Sequence, residues 1–131
     1  MENKKIPPIR AKRKNIEQQH QKALIQWASY HSICSIFLFA IPNGEKRTKA
    51  TGALLKCLGA KAGVWDLFLA VPSYGASGLW IEMKAGANKL TPEQKLFGQY
   101  MTSVGYATAI CYSCEEAITA IEQYLNGKGI Q

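Results

Sequence analysis

Residues 63–84, GVWDLFLAVPSYGASGLWIEMK, decide the fold. They read as two short strands, Trp65 to Val71 and Gly78 to Lys84, joined by a polar, Gly-rich loop. Side chains alternate along a strand, so Glu82 and Lys84 share one face while Ile81 and Met83 share the other. Paired strands lie about 4.8 Å apart, which puts Asp66 beside Glu82 if the register allows. Two carboxylates that close repel each other, and a hard divalent cation relieves them. Carboxylate oxygens, a backbone carbonyl and waters make an octahedral Mg²⁺ or Mn²⁺ site. Taken singly, each piece has a plainer reading: Asp66 as a turn former, Glu82-x-Lys84 as a solvated strand edge. Two features weigh against it. Asp66 is the only aspartate in the chain, and it lies in the apolar run Val64, Trp65, Leu67, Phe68, Leu69. Glu82 follows Leu79, Trp80 and Ile81, where a charge without a partner is costly.

Outward from this stretch, 131 residues fit one domain with a single core. The net charge of +7 points to a polyanionic partner. No run of eighteen apolar residues reads as a membrane span, and no secretory h-region opens the chain, so a cytoplasmic location is expected. The four cysteines, Cys34, Cys57, Cys111 and Cys114, read as reduced core thiols. Cys111 and Cys114 form a C-x-x-C without the second pair that a zinc site needs.

Residues 1–15 hold six of the sixteen basic residues, and Pro7-Pro8 argues for an unstructured arm. That arm is either a solvated tail or, through residues such as Arg13 and Lys14, a phosphate contact. The single domain is expected over 16–126, with a frayed tail at 127–131. Residues 16–31 predict a helix with Ile16, His20, Leu24, Trp27 and His31 in one stripe, and with Glu17 and Gln21 on an adjacent face. Ile33 to Ile41 reads as a buried strand ending at Pro42-Asn43-Gly44. Lys46 to Leu58 reads as a helix with Ala50, Ala53, Leu54, Cys57 and Leu58 inward, and with Lys46, Arg47, Lys49 and Lys56 on its outer side or first turn. Thr91-Pro92-Glu93-Gln94 is a capping box that starts a helix, whose expected buried stripe is Leu96, Phe97, Tyr100, Met101 and Val104. Tyr106 to Tyr112 alternates as a strand, and Glu115 to Leu125 closes the domain as a helix. The order is α/β: a mixed sheet with helices on both faces.

The motifs also resemble a known family. Asp66 followed by Glu82-x-Lys84 matches the PD-(D/E)xK nuclease signature, with Trp65 where many members carry proline. IPNGEKR at 41–47, LKCLGAKAGVWDLFLAVP at 55–72, GLWIEMKAGANKLTPEQ at 78–94 and GYATAICYSCEEAITAIEQYL at 105–125 resemble the stand-alone VRR-NUC domain of phages and bacteria. The resemblance spans about residues 17 to 125. It implies a restriction-endonuclease-like core and a Mg²⁺- or Mn²⁺-dependent DNA endonuclease. Asp66, Glu82 and the Met83 carbonyl would hold the metal. Glu17, with Gln21 a turn away, would face the metal centre and help hold the ion directly or through water, and Gln94 would lie close to it. Lys84 would orient the attacking water or stabilise the charge that develops on the phosphate. Arg47 after the PNG turn, with Lys46, Lys49 and Lys61, would contact DNA. The family further implies a homodimer acting on branched, four-way junctions in the manner of recombination and repair nucleases. No nucleotide cofactor is expected, since no Gly-rich phosphate loop follows a strand. Two other readings share the charge: a non-catalytic DNA-binding module on a nuclease fold, and a small interaction protein. The first would be expected to have lost one of Asp66, Glu82 or Lys84.

Overall fold

The computed structural model describes residues 8–42 and 48–127. Four strands, β1 (Leu38–Ala40), β2 (Leu67–Leu69), β3 (Leu79–Met83) and β4 (Ala107–Cys111), form one sheet in that order. The β1–β2 and β2–β3 pairs are antiparallel and β3–β4 is parallel, giving the expected mixed sheet. The register sets Leu67 opposite Ile81, so Asp66 falls one step on, beside Glu82. The register, which the sequence left open, is thus the one that brings the two acids together.

Leu67, Leu69, Leu79, Ile81 and Met83 point to one face and are essentially inaccessible to solvent. Leu24 and Ala28 of α1 (Ile9–Ser29) and Ala117 and Ile121 of α5 (Cys114–Leu125) close over them. Each such aliphatic side chain contributes about 1.5–3 kcal/mol by leaving water. The opposite face carries Phe68 stacked on Trp80 at 4.4 Å, with Phe97 of α4 (Pro92–Ser103) set edge-on against Trp80. Helices flank the sheet on both sides, and no helix among the described residues is long and apolar enough to cross a membrane.

Five expectations change. Residues 9–15, expected as part of an unstructured arm, are the first turns of α1. Proline breaks a helix only downstream of its first turn; Pro8 sits just ahead of Ile9, where its fixed φ is compatible with helix entry. The run from Ile33 to Ile41 is not one buried strand. His31 Nδ1 accepts hydrogen bonds from the Ile33 and Cys34 N–H groups at 3.1 Å, seeding the helical turn α2 (Cys34–Phe37) before β1. Ile36, Phe37 and Phe39 are exposed. In α3 (Lys49–Cys57), capped by Thr48, no residue is buried, and Leu54, Cys57 and Leu58 face solvent. This helix walls a cleft through Gly52, Leu55 and Lys56 instead of roofing a core. Along α4 the inward line is Gln94, Phe97, Gly98 and Met101, while Leu96, Tyr100 and Val104 are exposed. The Trp65 indole explains that rotation: it lies so close under Gly98 that a Cβ there would be 2.4 Å from the ring. In α1 the stripe holds at His20, Leu24 and Trp27 and continues to His31 just past its end, but Ile16 is exposed.

Candidate active site

Asp66 and Glu82 are joined through the backbone of the strand each lies on. The Asp66 N–H donates to Glu82 Oε1 at 3.1 Å, and the Met83 N–H donates to Asp66 Oδ2 at 2.9 Å. Glu82 is 2% exposed and Lys84 8%. Burial pushes the Glu82 carboxyl up to about 8, and the Asp66 charge pushes the same way against the pull of Lys84. Asp66 is also raised, first by burial and further by Glu17, although hydrogen bonds from the Met83 backbone and from Glu82 oppose the shift. Two carboxylates that both resist ionisation, set together in a protein, form an electrostatic deficit that a cation can fill.

Lys84 and Gln94 complete the inner set. Lys84 Nζ lies 3.4 Å from Glu82 Oε2 and donates to Gln94 Oε1 at 2.9 Å. Gln94 Nε2 donates to Glu82 Oε2 at 2.8 Å. The same Gln94 Oε1 accepts the Thr91 N–H at 3.0 Å, closing the capping box expected from the sequence. One side chain thus caps α4 and holds two members of the site. The two roles foreseen for Gln94 coexist in the geometry.

Glu17 sits beside the pair, not inside it. Its Oε1 accepts from the Ala85 N–H at 3.2 Å and from Asn88 Nδ2 at 2.9 Å. Among the described residues no three His, Cys, Asp or Glu side chains converge as a metal cage. Asp66 and Glu82 stand as a pair, and the Met83 side chain is in the core, so only its backbone belongs to the site. His20 is structural: its Nδ1 accepts the Cys114 N–H at 3.0 Å. The cysteines of the C-x-x-C are free thiols, and burial pushes Cys111 up to about 12 and raises Cys114 as well.

The pair lines a cleft of about 890 Å³ between α1, α3 and the 60–64 loop. Lys14 and Lys61, foreseen as DNA contacts, line it, and so do Lys22 and Lys56. Sequence reading gave Lys22 no role; its spacing from Lys14, eight residues or two turns along one helix, was the available signal. Lys49 begins α3 and is exposed. Arg13 does not line the cleft but donates to Asn88 Oδ1 at 3.2 Å. Lys46 and Arg47 lie outside the described residues.

No protein-family model and no curated protein matches the chain. Among solved structures, a VRR_NUC domain protein superposes with a TM-score of 0.72 at 23% identity, over 88% of this chain and 93% of that one. The chain has the VRR-NUC fold. Within that fold, Trp65 holds the place before the aspartate. Its Nε1 donates to the Gln94 carbonyl at 2.8 Å, tying the residue that precedes Asp66 to the helix turn that presents Gln94. Gly63, at φ +88, lets the entering loop press on that same turn, where a Cβ would be 2.8 Å from the Glu93 backbone. These contacts therefore fix the turn that presents Gln94, the link between Glu82 and Lys84.

Proposed function

We propose that this protein is a metal-dependent deoxyribonuclease that hydrolyses phosphodiester bonds, acting as a homodimer on branched DNA. The observation that carries the reading is the buried, cation-deficient Asp66–Glu82 pair with Lys84 beside it at the floor of a basic cleft. Such a donor set suits Mg²⁺ or Mn²⁺, because it is hard, anionic and open on the cleft side. Asp66, Glu82 and the Met83 carbonyl would hold the ion, which when bound supplies Lewis-acid charge for a phosphoryl oxygen. Lys84 stabilises the negative charge that grows on the transferring phosphoryl group, and Gln94 keeps its ammonium aimed. Glu17 holds the backbone immediately after Lys84 and adds negative potential to the pair. Lys14, Lys22, Lys56 and Lys61 draw the DNA backbone across the opening.

The test uses the purified protein with Mg²⁺ or Mn²⁺ on single-stranded, duplex, flap and four-way-junction DNA. Cleavage that EDTA stops and Mn²⁺ restores is expected, with a preference for branched substrates. Salt-dependent binding without any cleavage, in both metals and on every substrate, would favour the DNA-binding module instead.

A further inference from the structure

We propose that the first two turns of α1 are a rigid element that binds the DNA backbone, and that Asn88 is the positioning residue that holds them. The inference rests on the nuclease reading and sharpens where its substrate lies. Arg10, Lys12, Arg13 and Lys14 crowd the start of α1, with no acidic residue in the first turn and no side-chain cap. The positive end of a helix disfavours cations by about 0.3–1 kcal/mol each, so these turns do not sustain themselves. A tertiary tether holds them. Arg13 NH1 donates to Asn88 Oδ1 at 3.2 Å, and Asn88 Nδ2 donates to Glu17 Oε1 at 2.9 Å. One amide side chain thus grips α1 at two points a turn apart. Gly86, at φ +57, completes the seat, since a Cβ there would stand 3.2 Å from Arg13 Nε.

The consequence appears on the next face of the helix. Lys14 lines the cleft together with Gln18 and Lys22, and exposed Arg10 extends that row by one turn, about 6 Å. Asn88 carries no charge and lies on the loop after Lys84, yet it fixes the direction in which this basic row leaves the active site.

Binding to duplex DNA in EDTA, measured against salt concentration, tests this without cleavage. Asn88→Ala removes no charge, but it should weaken binding several-fold and flatten the log–log salt slope by about 0.9 to 1.8, one to two phosphate contacts. Lys14→Ala should cost less in the Asn88→Ala background than in the wild type. Arg13→Met attacks the same tether from the helix side, so its slope loss should equal that of Asn88→Ala, and the double variant should lose no more than either. An unchanged slope in folded Asn88→Ala, or strict additivity with Lys14→Ala, overturns the inference and leaves the nuclease reading intact. A further loss of about 0.9 when Arg13→Met is added to Asn88→Ala overturns it too, by making Arg13 a direct contact. Salt-independent binding by the wild type would remove the DNA reading itself.

Discussion

At Asp66 the same atoms that build the site also weaken the metal-free fold. The folded protein holds a proton on the Asp66–Glu82 pair more tightly than the unfolded chain does, since both carboxyls are raised. Stability of the metal-free protein therefore falls as pH rises from about 4.5 to about 8, where the buried pair is forced to ionise. Asp66→Asn keeps an oxygen for the Met83 N–H and places an amide donor towards Glu82. In EDTA it should melt about 4 °C or more above wild type at pH 8.5, with the gap closing by pH 5, as scanning calorimetry would show. The same variant should abolish cleavage; a wild-type rate from Asp66→Asn would refute the site. Lys84→Ala acts differently, because the ammonium is not a ligand. It should lower the cleavage rate by about 10²–10³ while Mn²⁺ binding, followed by titration calorimetry, persists. Loss of Mn²⁺ binding in Lys84→Ala would mean that its role has been misread.

Elements show where sequence is legible and where it is not. The β2–β3 pair could be read because each strand carries one acid in an apolar run, although its register came only with the structure. The capping box at Thr91 was equally plain, being a local pattern of four residues. The inward face of α4 was not. Leu96, Tyr100 and Val104 have the spacing and the hydrophobicity of a core stripe, yet the residue at the closest approach is Gly98, under an indole 33 positions earlier in the chain. Composition cannot reveal a contact made by an absent side chain. The start of α1 was hidden for a related reason, because its tether is Asn88, far away in sequence. Gly98→Ala tests the α4 account. Overpacking Trp65 should cost about 1–3 kcal/mol in denaturant melts and should slow cleavage by shifting the turn that presents Gln94. A fully stable, fully active Gly98→Ala protein would show that α4 can slide without consequence.

On the scale of the molecule, one chain offers one Asp66–Glu82 pair, so on the proposed reading one chain would break one strand at a time. Cutting two strands of a junction in a single encounter needs a second copy, and a closed two-fold dimer is the commonest way to supply it. The surface offers a place for one. Ile36, at 68% exposed, with Phe37 and Phe39, forms an apolar zone running from α2 into β1, at the edge of the sheet. Exposed apolar edges of this kind associate unless they are covered. Of the aromatics that sequence suggested for an interface, Tyr74 and Tyr112 are exposed, but Trp80 is stacked on Phe68 and serves the domain's own packing. Light scattering at micromolar concentration should therefore find a dimer for the wild type. Ile36→Glu should be monomeric yet folded, with a melting temperature that, unlike the wild type's, does not rise with protein concentration. On a four-way junction the dimer should release paired cuts, and Ile36→Glu should leave single nicks with the metal requirement intact. A wild-type protein that is strictly monomeric and cuts linear duplex as fast as junctions would overturn the two-fold assembly, while the carboxylate pair and Lys84 would stand.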